Sequence, residues 1–250
     1  MQIEIEIKEN ERIDDLDINN LKIIQNKDGF CFGVDSVILS DFAKEIKEGS
    51  KVLDLGTGTG IISLLLTAKT KLKKIYGIEV QEEVAEMAKR SVVLNNLEDK
   101  FEVIHLDIKN LNNVFKKNTF DAIVSNPPYK KENSGIINLE EKKNISRNET
   151  TANLEDFIKV SKDMLKEKGE LYFVHRPDRI VDILSLMRKY RIEPKKIRLV
   201  FGNEEKEPKM VLVKGIKGAN EFLKFGPNLY IYNKKGEYSD EINRIYGRKI

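Results

Sequence analysis

From Lys51 onward the chain alternates short apolar, β-branched runs with longer amphipathic ones, and this alternation narrows the possible folds more than any other feature. "KVLDLG" reads as a strand, "GIISLLLTAK" as a helix, "KKIYGIEV" as a strand and "QEEVAEMAKRSVVLNN" as an amphipathic helix. "FEVIHLD" and "FDAIVSN" follow as two more strands. Such a succession buries its apolar faces in a mostly parallel sheet with helices on both sides. The series resumes after residue 150 with the helix "LEDFIKVSKDMLKEKG", the strand "ELYFVHR" and the helix "PDRIVDILSLMRKY". "KKIRLVFG" and "KMVLVKGIKG", joined by the charged "NEEKEP", predict a closing antiparallel pair. The polar stretch 130–150 is longer than a routine connection and reads as a functional loop.

At 250 residues there is room for one α/β domain with short additions. No apolar run approaches the roughly 18 residues of a membrane span, and "MQIEIEIKENERIDD" lacks the basic start and apolar middle of a signal peptide. A soluble, cytoplasmic protein is expected, opening on a strand-like "MQIEIEIK". A lone cysteine, Cys31, and two distant histidines give no metal-ligand spacing, so no metal is expected. The net charge of +3 does not announce a polyanion partner, but its distribution is uneven. Residues 1–20 carry seven acids against two bases, and residues 188–217 carry ten bases against four acids, which suggests a basic face. His105 reads as a satisfied core histidine, and His175 stays ambiguous beside Arg176.

"DLGTGTG" turns the first of these strands into a helix, and Gly56, Gly58 and Gly60 let a ligand approach the backbone closely. A dinucleotide fingerprint would need glycine where Ile61 stands, and no G-K-[ST] follows, so nicotinamide cofactors and P-loop phosphates are disfavoured. Asp54 within the loop suits a cationic ligand. Glu79 ends the next strand some twenty residues on, where a carboxylate accepts from both hydroxyls of a ribose. Asp107 ends the third strand and either accepts from an adenine amine or caps the following helix. Together these residues fit an adenosyl ligand that carries positive charge and no phosphate: S-adenosylmethionine.

"FDAIVSNPPYKK" places Asn126, Pro127, Pro128 and Tyr129 at a strand's carboxyl edge, where ligands of open α/β sheets bind. Asn126 and the Pro127 carbonyl are expected to accept the two N–H bonds of a planar exocyclic amine, and Tyr129 to stack on its base through the ring face, so that Tyr129→Phe would be mild. Pro128 stiffens the rim. Lys130, Lys131 and Arg147 in the polar loop are candidate phosphate contacts.

"DLGTGTG", "GIEV" and "NPPY", in that order, resemble the class I S-adenosylmethionine-dependent methyltransferases, the last motif their amino-methylating branch. "QNKDGFCFGVDSVILSDF", "RNET", "LYFVHRPDRIVDIL", "KKIRLVF" and "PNLYIYNKKGEYSDEINRIYG" extend the likeness over nearly the whole chain to the bacterial tRNA1(Val) adenine N6-methyltransferases. In this chain Cys31 stands where a basic residue is expected in such lids, and "RNET" replaces the commoner R-H-E wording. The resemblance implies a Rossmann-like fold with a mostly parallel seven-stranded sheet and an antiparallel strand near the C-terminus. It implies residues 1–50 as a lid that caps the cofactor, 51–250 as the catalytic domain, and one compact unit overall.

By the same resemblance Phe32, Gly33 and Asp35 lie near the cofactor's methionine end, and Asn126 touches the cofactor as well as the acceptor. Adenine 37 of a valine tRNA is the implied acceptor, S-adenosyl-L-homocysteine the product and a monomer the favoured state. The alternatives are another planar amine, such as a release-factor glutamine N5 or a base of rRNA or DNA, or a nonenzymatic RNA-binding module. The fifty residues ahead of the first strand leave little room for the helical domain usual in release-factor enzymes.

Overall fold

The structure, a computed structural model, describes residues 5–27, 32–129 and 152–248. Lys130, Lys131 and Arg147 lie outside the described residues. The chain enters through a hairpin, β1 (Glu11–Asp15) and β2 (Lys22–Asn26), and helix α1 (Val34–Phe42). The expected alternation follows as β3 (Lys51–Leu55), α2 (Ile61–Lys69), β4 (Lys74–Glu79), α3 (Glu82–Leu94), β5 (Phe101–His105) and β6 (Phe120–Ser125). Next come α4 (Leu154–Met164), β7 (Leu165–His175), α5 (Ile180–Lys189), β8 (Ile192–Phe201) and β9 (Pro208–Lys217). Two short strands, β10 (Lys224–Phe225) and β11 (Leu229–Tyr230), and helix α6 (Asp240–Ile245) close the described chain.

The sheet runs β10-β8-β9-β7-β6-β3-β4-β5, with β11 also on β8. Pairing is parallel from β5 to β7, and β9 lies antiparallel between β7 and β8. Seven strands form the expected body. The other two are two-residue additions along β8. Apolar side chains of α1, α2 and α3 fill one face and those of α4 and α5 the other. In α4 the buried positions Phe157, Ile158, Ser161 and Met164 follow helical spacing, and Asn153 and Asp156 form a capping box at its start. None of the helices among the described residues is long and apolar enough to cross a membrane.

Two sequence expectations are corrected. Residues 5–8 of "MQIEIEIK" lie outside any strand: Lys8 N donates to Glu11 Oε2 and Glu11 N to the Lys8 carbonyl, so a turn precedes β1. Helix α4 stops at Met164, short of the apolar-polar pattern through Lys168, because Leu165 leaves it as a strand residue paired with Phe120. The buried ammonium of Lys217 donates to the carbonyls of Lys162 and Leu165, at 2.8 Å each, and to Asn118 Oδ1. It thereby satisfies acceptors that a helix end would otherwise leave to water.

The hairpin is fastened to α3. The Arg90 guanidinium donates to both oxygens of buried Glu11 at 2.6 Å, and Asn95 bridges the backbone N–H and carbonyl of Lys22. Ser91 Oγ accepts from Ile24 N at 2.9 Å. Ile24 is fully buried, so Ser91→Ala strands that N–H and is expected to lower stability by about 1 to 3 kcal/mol, measurable by urea unfolding.

Candidate active site

Two loops leave neighbouring strands at the same edge of the sheet. Leu55, the last residue of β3, pairs with Ser125, the last of β6, and Ser125 Oγ donates to the Leu55 carbonyl at 2.8 Å. The glycine loop and the Asn126–Tyr129 segment therefore start side by side. On the other flank Leu55 pairs with Ile78, whose carbonyl accepts from both Gly56 N and Thr57 N. Gly56, Gly58 and Gly60 have φ of 72°, 58° and 91°, the left-handed region that strains any residue with a Cβ. A Cβ at Gly60 would also press on Phe101 at 3.0 Å, whereas one at Gly58 would meet nothing within 4 Å. Gly58 thus borders open space.

Asp54 belongs to β3 itself, beneath the loop rather than in it, and is fully buried. Its Oδ2 accepts from Thr57 Oγ1 at 2.7 Å and Ser63 Oγ at 2.8 Å, while Oδ1 is enclosed and meets no donor among the described residues. Burial pushes its pKa up to about 6, against the pull of these two hydroxyls. Glu79, also buried, accepts from Gly58 N through Oε2 at 3.0 Å and from Gln81 N through Oε1 at 2.9 Å, and burial raises its pKa too. Two oxygens with one backbone donor each keep lone pairs for a diol. Asp107 caps the 3-10 turn Ile108–Asn113, its Oδ1 accepting from Lys109 N at 2.9 Å.

Asn126 is half-buried, Pro127 buried, Pro128 exposed and Tyr129 half-buried. The Asn126 amide nitrogen donates to Asp35 Oδ2 at 2.9 Å and lies 3.3 Å from Ser36 Oγ, and the Tyr129 hydroxyl donates to the same Asp35 oxygen at 3.0 Å. Asp35, at the start of α1, thereby holds Asn126 and Tyr129 together. Phe32 donates its N–H to Gln25 Oε1 and, with Ile61 at the start of α2, lines one cleft. Burial and then the Asp35 carboxylate raise the Tyr129 pKa, so the phenol remains a donor.

Of the two histidines, His105 departs from the core position expected of it, and His175, left ambiguous by the sequence, is the buried one. His105 ends β5 exposed, with Nε2 2.9 Å from the Val80 carbonyl, so it is satisfied but is not a core residue. His175 is buried at the carboxyl end of β7, its ring 5.0 Å from that of Tyr129. Its Nδ1 accepts from Arg176 N, which leaves the proton of the neutral ring on Nε2. Burial, with Arg179 second, lowers its pKa to about 4. His175 thus lies buried and uncharged against the Tyr129 ring, a placement its strand-end position in the sequence hints at but does not specify.

The expected basic face is largely neutralised in space. Arg188, Lys189, Lys196, Arg198, Lys214 and Lys217 all meet carboxylates, respectively Glu193, Glu155, Glu45, Glu241, Glu170 and Glu167. Several of these acids lie far away in sequence, which is why a local charge count does not find them. Among the described residues no cluster of metal-ligating side chains occurs.

Fold and site define a class I methyltransferase, the class that takes its methyl group from S-adenosylmethionine, and residues 33–190 match the methyltransferase small domain family. A tRNA1(Val) (adenine(37)-N6)-methyltransferase of Porphyromonas gingivalis is 30% identical over 220 residues, spanning 85% of this chain and 86% of that protein. A protein of the same name from Pedobacter heparinus is 26% identical, over 82% of this chain and 85% of its own. The chain belongs to this tRNA1(Val) (adenine(37)-N6)-methyltransferase family. The fold recurs in a predicted O-methyltransferase of Agrobacterium tumefaciens, with TM-score 0.68, 20% identity, and coverage of 85% of this chain and 95% of that one. It recurs also in the T. Thermophilus 16S rRNA N2 G1207 methyltransferase, solved with AdoMet and guanosine, with TM-score 0.60, 17% identity, and coverage of 85% and 52%.

The depressed pKa of His175 has a consequence for stability. The unfolded chain takes up its proton near pH 6.5, the folded protein only near pH 4, so the contribution is intact above 6.5 and is lost as pH falls from 6.5 towards 4. The loss amounts to about 3 kcal/mol at most. His175→Gln is expected to flatten that part of the acid limb when urea midpoints are compared across this range.

Proposed function

We propose that this protein transfers a methyl group from S-adenosylmethionine to N6 of adenine 37, beside the anticodon of a valine tRNA, and releases S-adenosyl-L-homocysteine. The observation that carries the reading is the position of the Asn126 amide: it stands at the end of β6, beside the glycine loop, with its nitrogen end turned to Asp35. Its oxygen is then the end offered to an acceptor.

The residues at the edge of the sheet fit the cofactor. The enclosed Asp54 Oδ1 lacks a donor that a cationic ligand supplies, Gly58 borders space that a Cβ would narrow, and Glu79 retains lone pairs for a ribose diol. Asp54, Gly56, Gly58, Gly60, Glu79 and Asp107 would hold it, with Phe32 and Gly33 covering it from the lid in residues 1–50. When bound, it supplies a methyl group activated by a sulfonium.

The exocyclic amine of adenine is a poor nucleophile because its lone pair is delocalised into the ring. Asn126 Oδ1 and the Pro127 carbonyl accept its two N–H bonds and favour the pyramidal nitrogen, an interaction stronger in the transition state than before it. The two prolines hold these acceptors without reorganisation. Tyr129, backed by the buried neutral ring of His175, stacks against the extruded base, and the surplus proton of the methylated amine passes to water. Phosphates around the base are assigned to Lys130, Lys131 and Arg147. The protein acts as a monomer in the cytoplasm.

A paired comparison tests this reading. With labelled S-adenosylmethionine and tRNA lacking the modification, Asn126→Ala is expected to cost about 2 to 4 kcal/mol of transition-state stabilisation while calorimetric cofactor affinity survives. Glu79→Ala is expected to lose affinity instead. Unchanged turnover in the first variant, or unchanged affinity in the second, contradicts the assignment.

A further inference from the structure

We infer that Asp35 is a positioning residue for methyl transfer: by accepting from Asn126 and Tyr129 it fixes which end of the Asn126 amide faces the acceptor amine. The inference rests on the function just proposed and reassigns Asp35 from the cofactor's methionine end to the acceptor side of the site.

An asparagine amide can turn over and exchange its oxygen for its nitrogen at little intrinsic cost, and only one orientation accepts from an amine. A carboxylate only accepts, so the end of Asn126 that faces Asp35 must be its NH2. The same nitrogen lies 3.3 Å from Ser36 Oγ, so α1 engages the NH2 end at two points. Oδ1 is left for the acceptor. Turning the amide over would set its oxygen against the carboxylate and strand both partners. The 91 positions that separate Asp35 from Asn126 are bridged only in the folded protein.

Two further features fit an orienting clamp. The Tyr129 hydroxyl donates to the oxygen that holds Asn126, so one carboxylate ties both ends of "NPPY", and Asp35 Oδ1 accepts from Ser36 N at 2.9 Å, which fixes the carboxylate itself. Gly33 has φ −96° and ψ 173°, open to any residue, so backbone freedom does not explain a glycine there. A Cβ at Gly33 would stand 2.5 Å from Asp35 Oδ1. The missing side chain makes room for the clamp.

The expected kinetic signature of Asp35→Ala is a fall in kcat of roughly 10- to 100-fold, the scale on which orienting partners of functional groups act. KM for tRNA and cofactor affinity should change less than about threefold. Gly33→Ala, which removes no clamp atom, should lower kcat in the same direction, and Asp35→Asn, which keeps an acceptor, should retain more activity than Asp35→Ala. In an Asn126→Ala background the Asp35→Ala loss should shrink to less than about twofold, since the amide to be oriented is gone. Multiplying losses, or lost cofactor affinity with kcat preserved, would overturn the inference.

A readout independent of activity separates it from the proposed function. With asparagine labelled by 15N, the Asn126 side-chain amide, identified by its absence in Asn126→Ala, should exchange slowly with solvent and speed up in Asp35→Ala. No change in exchange overturns the clamp whatever the activity. Slow exchange lost in the variant, from a protein that leaves tRNA unmethylated, upholds the clamp and overturns the function.

Discussion

The site depends on the position of β3 between two parallel neighbours. Leu55 is in register with Ile78 on one side and Ser125 on the other, so three strands end at one level, roughly 4.8 Å apart. From that level the connection after β3 enters α2, while α4, the next described helix after β6, packs on the opposite face of the sheet, an arrangement that marks a topological switch point. Parallel pairing makes the arrangement possible: every strand from β5 to β7 delivers its carboxyl end to the same edge. Asp54, Glu79, Asn126 and His175 are thereby brought to that edge by backbone hydrogen bonds before any of their side chains meet.

The charges at this edge are arranged economically. Asp54 and Glu79 are buried, and burial raises both pKa values, yet each is held by short bonds from hydroxyls or backbone N–H groups. Asp54 Oδ1 is enclosed and meets no donor among the described residues. Tyr129 and His175, packed on each other, are uncharged at neutral pH. The negative charge of Asp35 is bound up with Asn126, Tyr129 and the Ser36 N–H.

Much of this was legible in the sequence because it is local. Strand and helix periods, the glycine spacing, and an amide and two prolines at a strand end each sit within a dozen residues, and they place the sheet correctly and bring these residues to one edge of it. What was not legible depends on pairs distant in sequence. The end of α4 is set by Lys217, far along the chain, and the basic strip is neutralised by acids such as Glu45 and Glu155. His105 follows four strand residues of mixed burial, so its exposure turns on being last in an outer strand rather than on its neighbours. The Tyr129 hydroxyl, dispensable to a stacking ring, bonds Asp35, 94 positions away in sequence, a partner no local pattern signals.

We assign methylation of an adenine amine to the crevice between the glycine loop and Asn126. The most direct test is the identity of the product. Wild-type protein is incubated with labelled S-adenosylmethionine and, in parallel, tRNA lacking the modification and a release factor; the label is then located by mass spectrometry of nucleosides and peptides. The account predicts N6-methyladenosine at position 37 of a valine tRNA and an unlabelled release factor. Methylglutamine, or label on any other base or position, would contradict it.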